Sequence, residues 1–203
     1  MSPIRVVLAD DQALVRGALA ALLSLEDGIE VVGEAGDGEE LVALVGKVAP
    51  DVALVDIEMP GMDGIEATRQ IAGRWPEVKC LVVTTFGRPG YLQRALETGA
   101  RGFVVKETPA EQLADMVRGV HAGKRVIDPA LATESLFSGA NPLTAREREI
   151  LRIALEGGKV ADIAGRVHLS KGTVRNHLSS AIGKMGVTTR SEAARAAQDQ
   201  GWL

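Results

Sequence analysis

Five short runs of apolar and β-branched residues punctuate the first 122 positions: IRVVLA (4–9), VVGEA (31–35), VALV (52–55), LVVT (81–84) and GFVV (102–105). Between them lie amphipathic stretches of helical period, at about 13–25, 38–48, 64–74, 90–98 and 109–122. In the first of these, Leu14, Ala18, Ala21, Leu22 and Leu25 recur at helical spacing as an apolar stripe. Near-continuous apolar strands alternating with helices require a parallel sheet covered on both faces. For five βα units in so short a chain, the doubly wound strand order 2-1-3-4-5 is the leading topology. All strands of such a sheet end along one edge, and ligands bind there, at the switch point between strands 1 and 3.

The residues at those ends carry chemistry. Strand 1 runs into Asp10-Asp11, strand 3 into Asp56 with Glu58 two positions on, strand 4 into Thr84-Thr85, and strand 5 into Lys106. Singly, each has a plain explanation as a turn former or a solvated end. Jointly, they place three carboxylates, a hydroxyl and an ammonium at one spot. Crowded carboxylates repel one another and need a cation to offset them. Hard oxygen ligands suit Mg²⁺, or another divalent cation in its place. An Asp beside such an ion can act as a nucleophile toward a phosphoryl group. The loop after Asp56, EMPGMDG, turns sharply: Pro60 holds Met59 extended and Gly61 permits a tight turn, which leaves the carboxylate accessible.

Asp10-Asp11, Asp56, MPGMDG, Thr84 and Lys106 together resemble the receiver domain of two-component response regulators, over residues 1–122. The resemblance implies Asp56 as phosphoacceptor, with Thr84 and Lys106 contacting the phosphoryl group. It implies Asp10, Asp11, Asp56 and the Glu58 backbone carbonyl as Mg²⁺ ligands. Phe103, three residues before the lysine, takes the place of the family's switch aromatic, which is more often Tyr. With Thr84 it forms the implied switch pair, and its missing hydroxyl removes any hydrogen bond that group would make.

Residues 123–140 read as a linker, with a helical patch around 131–137. Thr144-Ala145-Arg146-Glu147 then has the T-x-x-E pattern of a capping box, and Ile150, Leu151, Ala154 and Leu155 give the following helix an apolar face. A short helix follows, with Val160, Ile163, Ala164 and Val167 inward. Ser170 can cap a third helix, whose stripe is Val174, Leu178, Ala181, Ile182 and Met185. No acid occurs from Lys171 to Arg190. Arg and Asn on the outer face of such a helix can read guanine and adenine in a major groove, while flanking Lys, Arg and Thr hold phosphates.

LTAREREIL, DIAGRVHLSKGTVRNHLSSAIGKMGVTTR and SEAA resemble the LuxR/NarL/FixJ class of helix-turn-helix domains over residues 141–203. The resemblance places Lys171, Thr173, Lys184 and Arg190 near phosphates, Arg175, Asn176 and Ser179 at base edges, and His177 near the interface. The last helix, about Glu192–Asp199, is the element that commonly supplies the dimer contact in such all-α four-helix domains. LTAREREIL, TTFGRPGYLQRA and GTVRN look closest to DesR-like regulators, a subgroup that controls membrane-lipid desaturation in response to a sensor kinase.

Charge follows the same division. Residues 1–138 carry 13 Lys and Arg against 21 Asp and Glu, and residues 139–203 carry 10 against 6, so the basic unit is the one suited to nucleic acid. The single cysteine, Cys80, sits in an apolar run as a buried structural thiol. No apolar run approaches the length of a membrane span, and the N-terminus has no signal-peptide pattern, so a cytoplasmic protein is expected. A phosphatase of the haloacid-dehalogenase type would want an Asp two residues after its nucleophile, where this chain has Glu58, and would leave the C-terminal unit unexplained. The expected function is that of a response regulator. A sensor histidine kinase supplies the phosphoryl group, and the receiver catalyses only its own phosphorylation and slow dephosphorylation. A homodimer then binds double-stranded DNA with two-fold-related half-sites. The pairing face stays open between receiver helices 1 and 5 and helices 4 and 5.

Overall fold

The computed structural model describes residues 2–85, 87–129, 131–133 and 141–203. It contains two compact units, one built on a β-sheet with its helices and one built on four C-terminal helices. In the first, β1 (Ile4–Ala9), β2 (Ile29–Ala35), β3 (Val52–Val55), β4 (Lys79–Thr84) and β5 (Gly102–Val105) alternate with α1 (Ala13–Ser24), α2 (Gly38–Val48), α3 (Gly64–Arg74), α4 (Pro89–Glu97) and α5 (Ala110–His121). All strand pairings are parallel.

The expected order 2-1-3-4-5 is present and is extended by one strand, β6 (Val126–Ile127), beside β5. Val126 and Ile127 pair with Gly102 and Phe103, so part of the stretch read as linker joins the sheet. Two apolar residues are too few to display a strand period. Of the helical patch expected around 131–137, residues 134–137 lie outside the described residues.

Alternation along each strand divides the apolar side chains between two layers. Val6, Leu8, Val52, Leu54, Leu81 and Val83 pack with Leu23 of α1 and Leu113 and Val117 of α5. Val7, Ala9, Ala53, Val55 and Cys80 pack with Leu41 and Val45 of α2 and Ile71 of α3. The Cys80 thiol is fully enclosed and burial pushes its pKa up to about 12, so it behaves as a core residue.

Helix α1 departs from the usual amphipathic pattern. Its inward side is Leu19, Ala20 and Leu23. The stripe identified from spacing points outward: Leu14 is 87% exposed, Leu25 82% and Leu22 44%. The helix is apolar on both sides, and only one of them is covered within the receiver unit.

In the second unit, α6 (Ala145–Leu155), α7 (Val160–Arg166), α8 (Lys171–Met185) and α9 (Arg190–Asp199) enclose Ile150, Leu151, Ile163, Val174, Leu178, Ala181 and Ala193. The Thr144/Glu147 capping box forms as expected, as does the Ser170 cap, whose Oγ accepts from Thr173 N at 3.0 Å. A second box, Thr189/Glu192, starts α9. Gly165 in α7 and Gly183 in α8 have open space beyond the position of a Cβ, and nothing in the structure explains them.

Glu147 does more than cap. It is buried, and its carboxylate accepts from Ser180 Oγ at 2.6 Å and from Lys184 Nζ at 2.7 Å, which fastens α6 to α8. Burial opposes its charge, but Lys184, Ser180 and Thr144 outweigh that and hold its pKa down at about 2. A carboxylate with a depressed folded pKa contributes stability above its unfolded value, and the contribution is lost as pH falls through the folded value. Solvent around the partly open Lys184 trims the effect to on the order of 2 kcal/mol. Glu147→Gln should cost about that much in the unfolding of the C-terminal unit at pH 7. The difference from wild type should fade between pH 4.5 and about 2, followed by chemical denaturation across pH. A second expectation concerns Gly64, where an added Cβ would lie 1.8 Å from the Asp56 carbonyl oxygen. Gly64→Ala should destabilise the receiver by about 3 kcal/mol because backbone cannot yield as a side chain does, measured by the same denaturation.

Candidate functional site

The carboxyl edge of the sheet is built by strand ends that cannot drift. β1 and β3 are neighbours, and Asp56 N donates to the Ala9 carbonyl at 2.9 Å, so the residues following both strands are held side by side. The turn after Asp56 closes on itself, with Gly64 N donating to the Ile57 carbonyl at 3.0 Å. Asp63 caps α3 through Glu66 N at 2.7 Å. Gly64 packs against the Asp56 carbonyl at a distance only glycine tolerates.

Lys106 arrives from the end of β5, with its backbone N donating to the Thr84 carbonyl at 2.8 Å. Its ammonium lies 2.7 Å from Asp10 Oδ2 and 2.9 Å from Asp56 Oδ2. Asp10 and Asp56 are both buried, Asp56 to 4% exposure, whereas Asp11 is exposed. The remaining oxygen of each buried acid is also engaged. Asp56 Oδ1 accepts from Ile57 N at 2.8 Å, and Asp10 Oδ1 accepts from Gln12 N at 2.9 Å.

Burial pushes the Asp56 carboxyl above the ordinary carboxylate range. The hydrogen bond and charge of Lys106 pull the other way, and the Asp10 charge pushes up again. For Lys106, burial disfavours the charge, but the bonds to Asp10 and Asp56 prevail and raise its pKa. Both groups answer to one arrangement: two buried acids sharing a single cation.

Carboxylate oxygens of Asp10, Asp11 and Asp56 all lie within 4.8 Å of one another. They open on a cleft of about 400 Å³ lined by Asp11, Gln12, Asp56, Glu58, Thr84 and Thr85. The donor set is hard oxygen throughout, with space for water, which fits Mg²⁺ or a similar divalent ion. The cluster is therefore positioned to chelate a divalent cation. Thr84 is buried at the carboxyl end of its strand, and Phe103 has no exposed surface.

The sequence-predicted receiver residues Asp10, Asp11, Asp56, Glu58, Thr84 and Lys106 thus share one sheet edge. Phe103 stands apart in the core beneath it. Thr85 was named from sequence only as part of the end of strand 4, without a role, and Gln12 was not singled out; its adjacency to Asp11 is the signal that could have found it.

The predicted DNA-facing residues divide differently. Lys171, Arg175, Asn176 and Ser179 are exposed on α8, one to two turns apart on one side. Thr173 and His177 are half-buried, and Thr173 Oγ1 lies 2.8 Å from Ser170 Oγ. Lys184 is engaged by Glu147, and Arg190 donates to the Gly158 carbonyl at 2.7 Å. No helix among the described residues is long and apolar enough to cross a membrane.

Comparison with known proteins agrees with both halves. Residues 6–118 match the response regulator receiver domain, and residues 141–197 match the bacterial regulatory proteins of the luxR family. The transcriptional regulatory protein DesR of Bacillus subtilis (strain 168) is 43% identical over 200 residues, covering 98% of this chain and 99% of its own. The crystal structure of ChrA, the response regulator of a heme-sensing two-component system, superposes with a TM-score of 0.60 at 34% identity over the full length of both chains. RcsB in its complex with DNA gives a TM-score of 0.67 at 26% identity, covering 98% of this chain and 99% of that one. A parallel sheet with an acidic edge, joined to a helix-turn-helix unit and matched along nearly its whole length, makes this chain a member of the two-component response regulators with a LuxR-type DNA-binding domain.

Proposed function

We propose that Asp56 is the phosphoacceptor of a transcriptional regulator, and that its modification drives dimerisation and DNA binding. The observation that carries this reading is the pair of buried carboxylates held on one ammonium beside an open acidic cleft. One Asp56 oxygen attacks the phosphorus of a kinase's phosphohistidine. The P–N bond breaks, and its electron pair leaves with the imidazole nitrogen. Ile57 N–H fixes the orientation of the attacking carboxylate.

A bound Mg²⁺, held by Asp10, Asp11, Asp56 and the Glu58 carbonyl, would neutralise charge on the phosphoryl oxygens. Lys106 is already 2.9 Å from Asp56 Oδ2, so it needs little movement to pair with the new group. The Thr84 hydroxyl donates to another phosphoryl oxygen. The added charge of about −1.5 to −2 therefore redraws the contacts of Lys106 and Thr84, and Phe103 packs beneath them. The receiver takes in residues 1–122 together with β6 from the stretch read as linker, and the DNA-binding domain spans 141–203. The protein works in the cytoplasm, where a sensor kinase's catalytic portion and the chromosome are both accessible.

On DNA, α8 enters the major groove. Arg175, Asn176 and Ser179 reach base edges, Lys171 and Thr173 hold phosphates, and His177 borders the interface. Lys184 and Arg190 contact phosphates only from positions that their bonds to Glu147 and Gly158 already fix. Two domains of a dimer meet half-sites about one DNA turn apart. The 43% identity to DesR supports this class of regulator.

With Mg²⁺ and acetyl phosphate, light scattering should show a monomer-to-dimer shift in the wild type and none in Asp56→Asn. Acyl phosphate detected in Asp56→Asn at the wild-type rate would identify another acceptor. On its operator, Arg175→Ala should lose about 1–3 kcal/mol of binding while affinity for random DNA holds. An equal loss on both would reduce Arg175 to a phosphate contact.

A further inference from the structure

A receiver loses its phosphoryl group to water as well as acquiring one. In-line displacement puts the attacking water on the side of phosphorus away from Asp56. Asp56 is only 4% exposed, so that side faces the mouth of the cleft. Six residues line the cleft: Asp11, Gln12, Asp56, Glu58, Thr84 and Thr85. Asp11 belongs to the carboxylate cluster, and the Thr84 hydroxyl is committed to the phosphoryl group. The transition state of phosphoryl transfer is loose, so the water needs orienting more than it needs a base. A Glu58 carboxylate doing so would add negative charge beside the phosphoryl oxygens. Thr85 offers one rotating hydroxyl on a short stem. Gln12 carries a neutral amide, with donors and an acceptor on one rigid plane.

Two observations single out Gln12. Its backbone is fixed from both sides: Gln12 N donates to Asp10 Oδ1 at 2.9 Å, and its carbonyl accepts from Arg16 N at 2.9 Å. Its side chain, by contrast, does nothing for the fold. Gln12 stands at the N-cap of α1, where Ser, Thr, Asp and Asn bond the first turn. Asp37, Asp63, Thr144, Ser170 and Thr189 all do so at their own helices, whereas Gln12 makes no such bond. It is exposed, and its amide pairs with no group among the described residues. A residue that gives up a cap, yet holds an unpaired amide at the rim of the cleft from an anchored backbone, is placed to serve what enters there.

We propose that Gln12 orients the water that hydrolyses the Asp56 acyl phosphate, and so sets how long the phosphorylated state lasts. The proposal rests on the reading of Asp56 as phosphoacceptor. The Gln12 amide oxygen accepts from one O–H of the water, which turns a lone pair toward phosphorus, and the amide N–H donates to a phosphoryl oxygen. The water oxygen bonds to phosphorus as the bond from phosphorus to the Asp56 oxygen breaks. The electron pair of that bond stays on the carboxylate, and the water's proton leaves with inorganic phosphate.

The test uses the full-length chain with Mg²⁺, phosphorylated by acetyl phosphate and then freed of the donor, with the loss of acyl phosphate followed in time. Gln12→Met keeps the side chain's length and removes both hydrogen-bonding groups, and it should lose phosphate roughly tenfold more slowly than the wild type. Its uptake of beryllium fluoride, read by fluorine NMR, should match the wild type, because that mimic of the acyl phosphate involves no attacking water. Gln12→Ser supplies the missing cap and is too short to reach the water. It should raise the thermal midpoint of the receiver yet show the same slow loss, a combination that a purely structural role would not produce. A wild-type rate of loss in either variant would overturn the assignment, as would slower loss accompanied by equally weakened fluoride uptake. A wild type that takes up neither fluoride nor phosphate would overturn the reading of Asp56, and the inference with it.

Discussion

The receiver unit is organised around one ammonium group shared by two buried carboxylates. Removing an ion from water costs several kcal/mol, and attraction repays that only when the geometry is close and the remaining oxygens are bonded. Here each acid gives one oxygen to Lys106 and the other to a backbone N–H, Gln12 for Asp10 and Ile57 for Asp56. The parallel sheet makes the arrangement possible. It brings the ends of β1, β3 and β5 to one edge, although the residues come from positions 10, 56 and 106 of the chain. One positive charge for two buried negatives, with Asp11 adding a third beside them, leaves the site short of cation. Burial is the main cause of the raised pKa of Asp56, the Asp10 charge adds to it, and the same deficit underlies the fit of a divalent ion.

Much of this was legible in the sequence because it depends on local periods and on topology. The five apolar runs gave the strands, and the parallel arrangement gave the shared edge. Glycine was legible only in part. Gly61 was read as a turn residue, but the close contact of Gly64 with the Asp56 carbonyl depends on how the loop folds back, which spacing alone does not show. The strand β6 escaped notice because two residues carry no period, and its place is set by Gly102 and Phe103 rather than by its own composition.

Two side-chain assignments show where sequence reading reaches its limit. In α1 the apolar residues occupy both sides of the helix, so spacing finds a stripe but not its direction. The stripe it found lies outward, while Leu19, Ala20 and Leu23 fill the core. In α8, Lys184 reads as one more cation in an acid-free segment. Its partner, Glu147, lies 37 positions earlier on another helix. The T-x-x-E pattern explains Glu147 fully as a cap, so nothing in the sequence asks for a second role. A long-range ion pair between residues that each have a sufficient local explanation is invisible until the fold brings them together.

The two ionic centres are matched differently to their surroundings. Glu147 sits among donors that satisfy it completely, and its pKa falls to about 2. It behaves as a fixed fastening between α6 and α8, so the presentation of Arg175, Asn176 and Ser179 rests on a rigid base. Asp56 has a donor on each oxygen, yet burial together with the Asp10 charge outweighs them and leaves its charge disfavoured. A centre whose charges are fully compensated gains little from a new ligand. One that is under-compensated responds to a cation or a phosphoryl group by redistributing its partners. A regulator needs its two states separated by only a few kcal/mol, so that one modification can invert their populations. The disfavoured charge of Asp56 lies in the receiver unit, and the fully compensated Glu147 lies in the C-terminal unit.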